Sequence, residues 1–86
     1  MNTQFLLMAQ YNGTVVIPLA VVCKDYFKHL TPEKFARKVS LGEIKLPMIR
    51  MEGSNKSARG IHIADLAAYL DERREAAIKE LKQITE

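Results

Sequence analysis

The dipeptide Thr31-Pro32 constrains the fold most, because it closes one amphipathic stretch and opens another. A threonine hydroxyl accepts from first-turn amides, and a proline is tolerated at the first helical position but not in a helix interior. Before it, Pro18 stands where a first turn accepts proline, and Leu19, Val22, Cys23, Tyr26, Phe27 and Leu30 follow at spacings of three and four. Ala20, Lys24, Asp25 and Lys28 fall on the outward face of that helix. After it, Phe35, Ala36 and Val39 point one way, and at 100° per residue Lys34, Arg37 and Lys38 fall opposite, with Leu41 among them. Gly42 ends this second helix as a left-handed cap. The spacing therefore predicts a helix-turn-helix over 18–41, with a turn of about three or four residues.

Beyond Gly42 the pattern changes. Ile44 to Met51 reads as extended and Arg59 to Ile63 supplies a second β-prone piece, with the polar stretch Glu52-Gly53-Ser54-Asn55-Lys56-Ser57-Ala58 between them. Pro47 marks its strand as an edge, so residues 44–63 are expected to form a small hairpin rather than part of a large sheet. Residues 64–84 are rich in Ala, Leu, Glu, Arg and Lys without Gly or Pro, which predicts a long C-terminal helix. At the other end, Asn2 and Thr3 are available as caps for the apolar stretch up to Tyr11, and Asn12-Gly13 can close either a helix or a hairpin. Leu, Met, Ala and Gln favour the helix, while Val15, Val16 and Ile17 read as a short extended stretch. The fold class expected is mainly α with a small β-hairpin, as one domain over 1–86.

Composition narrows the function. A chain of 86 residues buries only somewhat more than about 60% of its unfolded surface, so a large enclosed active-site cavity would compete with its core. No HExxH, GxSxG or phosphate-loop glycine pattern occurs, and no catalytic residue is singled out. The single cysteine, Cys23, excludes an intramolecular disulfide and suits a reducing compartment. Cys23, His29 and His62 are far apart in the chain, so neither a metal nor another cofactor is expected. No apolar run approaches a membrane span and Met1-Asn2-Thr3-Gln4 lacks a basic leader, so the expected location is the cytoplasm.

Charge is segregated. Residues 1–23 carry none, residues 24–59 carry nine bases against four acids, and residues 60–86 carry four bases against six acids. A basic middle third fits one face turned towards an anion. A helix of the width of the major groove, presenting Thr31, Lys34, Arg37 and Lys38, followed by a hairpin whose loop offers Ser54, Asn55, Lys56, Ser57 and Arg59 to phosphates, has the layout of a winged helix-turn-helix bound to duplex DNA. Each part alone has a plainer reading, three bases as a solvated helix face and the loop as an ordinary turn. Their joint occurrence favours DNA. Arg50 has Glu52 or another acid as an alternative partner. Ala77, Ile78, Leu81 and Ile84 continue an apolar stripe past what the core needs, which either self-association as a homodimer or folding back onto residues 4–11 would cover.

The stretch Ile17-Pro18-Leu19, Tyr26-Phe27, Thr31-Pro32-Glu33-Lys34-Phe35, Gly42-Glu43-Ile44, Leu46-Pro47 and Asp65-Leu66-Ala67-Ala68-Tyr69-Leu70 resembles the excisionase and MerR-type winged helix pattern. More narrowly, Phe5-Leu6-Leu7-Met8-Ala9, Ile17-Pro18-Leu19 and Gly53-Ser54-Asn55-Lys56-Ser57 before Asp65-Leu66-Ala67 resemble the pyocin activator family, PrtN. That resemblance implies a bacterial, phage-related transcription activator, acting on the nucleoid upstream of phage-tail-like bacteriocin genes in a DNA-damage response. It carries the general roles of second helix and wing onto Thr31 to Leu41 and Gly53 to Arg59. The expected partners are promoter DNA and RNA polymerase, and the alternatives are an excisionase-like factor that bends DNA and a small adaptor that binds an acidic protein.

Overall fold

The computed structural model describes residues 2–53 and 58–85. Helix α1 is Thr3–Gln10, strand β1 Val16–Pro18, helix α2 Leu19–Tyr26, helix α3 Pro32–Ser40, strand β2 Ile49–Arg50, strand β3 Arg59–His62 and helix α4 Ile63–Thr85. The chain is mainly helical, with a small antiparallel sheet of order β1-β3-β2.

Local chemistry sets the boundaries. Asn2 Oδ1 accepts from the Gln4 and Phe5 amides at 2.8 and 3.3 Å, which settles the first segment as a helix. Asn12 and Gly13, at φ +53° and +74°, then turn the chain out of it. Thr31 Oγ1 accepts from the Lys34 amide at 3.2 Å with Pro32 in the first turn of α3, and Gly42 at φ +77° follows the end of that helix. Before α4, His62 Nδ1 accepts from the Ala64 amide at 3.0 Å, so the histidine that reads as a strand residue also caps the long helix.

Four details differ from the sequence reading. Pro18 ends β1, opposite Gly60, and precedes α2 instead of lying in its first turn. The connection from α2 to α3 is five residues long, Phe27 to Thr31, because α2 stops at Tyr26. The sheet has three strands, since Val16, Ile17 and Pro18 pair with His62, Ile61 and Gly60. Ile44 and Leu46 are not in a strand: both are buried in irregular chain, and β2 begins only after Pro47, while Ile63 opens α4. Burying those two side chains in the core takes precedence over ladder pairing in a stretch that contains a proline.

One core holds these elements together: Leu7 of α1, Ile17 of β1, Leu19, Val22 and Cys23 of α2, Phe35, Ala36 and Val39 of α3, Ile61 of β3, and Ile63, Leu66 and Ala67 of α4, together with Phe27, Ile44 and Leu46. Phe27 stacks on Phe35 with centroids 4.5 Å apart, and Tyr69 closes on Phe27 at 5.9 Å. This aromatic cluster fixes α3 against α2 and α4. Helix α1 is fastened to the body at several points. Thr3 Oγ1 donates to Asp71 Oδ1 at 2.5 Å, Tyr11 Oη to Asp25 Oδ2 at 2.6 Å and Tyr26 Oη to Gln10 Oε1 at 2.9 Å.

Candidate nucleic-acid interface

The outward face of α3 is built by what its inner face needs. Phe35, Ala36 and Val39 are buried, so the 100° step turns Lys34, Arg37 and Leu41 away from the core. Lys34 and Arg37 are exposed, and Lys38, on the flank, is half-buried along its stem. These three bases, with Leu41 and Glu43, line one open groove. Leu41 is 65% exposed and sits one position past α3, in line with Lys34 and Arg37. Thr31 is spent on the cap, which gives it a role in positioning α3, although it too is exposed.

A second cationic group lies on the sheet. Arg59 begins β3, and its cross-strand partner on β2 is Arg50. Residues directly opposite in an antiparallel pair point to the same face with Cβ atoms about 5 Å apart, so the two arginine side chains, both exposed, leave the sheet side by side. The ladder continues towards the loop, with the Met51 amide donating to the Ala58 carbonyl at 3.0 Å. Ser54, Asn55, Lys56 and Ser57 lie outside the described residues. Sequence reasoning missed Arg50 as a member of this group, since only the register reveals its partner, and an acid two residues away looked like the simpler one. The like charge of Arg59 at an appropriate distance along a hairpin was the available signal.

Cys23 is buried, and its thiol donates to the carbonyls of Leu30 at 3.3 Å and Phe27 at 3.6 Å. Burial pushes this thiol up from its ordinary value, which makes it a poor nucleophile. Among the described residues no group of three or more His, Cys, Asp or Glu side chains is placed to hold a metal ion. No helix of the described residues is long and apolar enough to cross a membrane.

Comparison with known proteins decides the family. The family model for the pyocin activator protein PrtN matches residues 3–77 of the 86. The chain belongs to the PrtN family. The match takes in all of α1, α2, α3 and the sheet and ends within α4 at Ala77, so Ile78, Leu81 and Ile84 lie beyond it. No curated protein and no solved structure matches the chain. Membership places the chain among regulatory activators rather than in an enzyme family.

Proposed function

We propose that this chain is a sequence-specific duplex-DNA-binding protein that activates transcription of pyocin genes, with α2 and α3 as a helix-turn-helix and β2–β3 as its wing. The observation that carries the reading is the outward stripe of α3, where Lys34, Arg37 and Leu41 recur at helical spacing directly opposite the core, with Lys38 beside them. Lysines reach phosphates, and Arg37, central in the stripe, has the fork geometry that bridges guanine O6 and N7. Leu41 would meet the 5-methyl group of thymine, the one apolar feature in the major groove.

The Arg50–Arg59 pair supports the wing reading, because like charges held directly opposite are unfavourable unless an anion lies between them. A phosphate of the backbone is such an anion, and Ser54, Asn55, Lys56 and Ser57 would add donors to it. PrtN membership supports activation. Contact with RNA polymerase would fall to the acidic side of α4, at Glu72 and Glu75, both exposed. The protein would act in the bacterial cytoplasm, on the nucleoid, as a homodimer joined through Ala77, Ile78, Leu81 and Ile84.

The test is fluorescence anisotropy with a duplex from upstream of pyocin genes and with a scrambled duplex, from about 50 to 200 mM salt, where six phosphate contacts shift affinity by roughly a thousandfold. Tight, salt-dependent binding that prefers the upstream duplex is expected. Equal weak binding to both would refute sequence-specific recognition.

A further inference from the structure

Helix α1 turns its more apolar side to solvent. It carries no charge, and Leu7 is its buried residue. At 100° per residue Thr3, Gln4 and Gln10 fall within about 60° of Leu7, on the side of the domain, where Thr3 bonds to Asp71 and Gln10 to Tyr26. Phe5 and Ala9 stand nearly opposite Leu7, with Leu6 and Met8 between, and Phe5, Leu6 and Met8 are 65, 50 and 43% exposed. A surface helix normally shows the reverse arrangement, so this outer face is built to be covered.

The chain leaves a second apolar strip bare, and it extends the surface on which α1 already rests. Helix α1 runs antiparallel to α4: Thr3 bonds to Asp71 at one end, and just past the other the Ile63 amide donates to the Val15 carbonyl. It therefore covers α4 from the sheet as far as an open cleft lined by Asn2, Thr3, Asp71, Arg74 and Glu75. Leu81 stands about five helical turns past Ile63, on the line of Ile63, Leu66, Ala67 and Leu70, with Ala77, Ile78 and Ile84 within about 60° of it. Arg74 is the charged side chain on that line, and it stands at the cleft, before the strip begins. Beyond the cleft α4 runs on for about 15 Å to Thr85, room for one more helix of the length of α1, about 12 Å. On this stretch Leu81 is 60% and Ile84 81% exposed.

Resting on the homodimer reading above, we propose that the partner is a second copy of this chain, and that the tail strip of each α4, Ala77 to Ile84, lies on the outer face of the other chain's α1. The two α4 helices then run antiparallel with the two α1 helices end to end between them. Each α1 is held by Leu7 on its own α4 and by Phe5 and Ala9 on the tail of the other. Charge agrees with this pairing, because α1 brings none and Lys79, Glu80 and Lys82 fall about 100° or more from Leu81, clear of the contact. Area agrees as well. A bare large apolar side chain exposes on the order of 200 Å², so the two faces leave roughly 500 Å² per protomer and about 1,000 Å² in a pair, where specific interfaces begin. Either face alone falls well short of that, and one two-fold axis covers both.

Sedimentation equilibrium of the full chain at micromolar to tens of micromolar concentration tests this. A dimer is expected, and Phe5→Glu and Leu81→Glu should each weaken it about tenfold or more, because the two-fold axis buries every introduced charge twice. Val15→Glu, at an exposed apolar position beyond the opposite end of α1, should leave it unchanged. Phe5→Cys chains mixed with Leu81→Cys chains should be joined by a short bis-maleimide, and neither variant alone should be, Cys23 being buried. Circular dichroism checks that each variant is folded. A strict monomer would overturn self-association, and the homodimer reading with it. Loss of the dimer with Leu81→Glu but not with Phe5→Glu would keep the homodimer reading and overturn the exchange onto α1. Cross-linking of either cysteine variant alone would set like faces together and overturn the exchange in the same way. Anisotropy on DNA stands apart from all of these results.

Discussion

Gly60 gives the most direct test of the sheet that supports the proposed wing. It lies buried in the middle strand, between Pro18 on β1 and Ile49 on β2. A Cβ there would stand 2.7 Å from the Ile17 carbonyl oxygen and 2.7 Å from Val16 Cγ1, with the Ile17 carbonyl carbon at 3.3 Å. Ordinary contact requires the neighbours to retreat by roughly half an ångström or more, and Ile17 is backbone inside the β1–β3 ladder, whose side chain is wholly buried. The strand cannot yield without disturbing both. Overpacking of this kind costs about 1–3 kcal/mol, and alanine recovers up to about 1 kcal/mol by restricting the unfolded chain, so a net loss of about 1–2 kcal/mol is expected for Gly60→Ala. Against a total stability of roughly 4–13 kcal/mol for a chain of this length, that is a large fraction. Urea denaturation followed by circular dichroism should show the midpoint falling by about 1 M with an unchanged slope. Gly53→Ala, with nothing within 4 Å of the new atom, is the control and should move by less than about 0.5 kcal/mol. Gly42→Ala, with open space but φ +77°, should lose about 1 kcal/mol through backbone strain alone. If Gly60→Ala behaved like Gly53→Ala, the close β1–β3 approach would be refuted.

Four further outcomes are expected. Truncating Arg37 to alanine should cost about 1–3 kcal/mol on the upstream duplex and flatten the preference at one base pair, read by anisotropy across single-substitution duplexes; a uniform loss on every sequence would make it a phosphate contact. Replacing thymines one at a time by uracil should weaken the parent at one position and leave Leu41→Ala insensitive there; no sensitive position would remove Leu41 from base reading. Thr31→Ala removes the α3 cap and should cost about 1 kcal/mol of stability in urea, with DNA affinity falling while Lys34, Arg37 and Lys38 are unchanged in sequence. Tyr11 is held above its ordinary phenol range by burial first and by the bond to Asp25 second, so the stability it contributes is complete below about pH 10 and lost as pH rises further. Tyr11→Phe should remove that alkaline decline, and an unchanged profile would show that the phenol is not its source.

What was legible in the sequence was local. The cap at Thr31, the glycine stop at Gly42 and the buried stripe through Leu19, Val22, Cys23 and Phe27 depend on neighbours within a turn or two, and the structure has them. What was not legible depends on pairing across the chain. Val16–Pro18 joins β3 some forty residues later, and nothing nearby in sequence marks that register. The same holds for Ile44 and Leu46, whose alternation reads as a strand although both side chains are taken into the core. The candidate site divides in the same way: the α3 stripe follows from helical periodicity, whereas the second cationic group requires knowledge of which arginine faces which.

That second group bears on how the fold balances stability against recognition. A two-residue strand such as Ile49–Arg50 has little to hold it except its pairing with β3, and Ile49 opposite Gly60 has no cross-strand side chain to pack on. The remaining pair, Arg50 with Arg59, adds repulsion at the point where the ladder enters the loop. A threonine or an aspartate at either position would relieve that repulsion in the free protein, and under the proposed function a DNA phosphate would relieve it in the complex. An anion between them turns the repulsion into attraction and strengthens the ladder at the same moment. On this argument the wing should tighten on DNA: Arg50→Thr should stabilise the free protein slightly and weaken its DNA complex, and gain or loss in both together would contradict it.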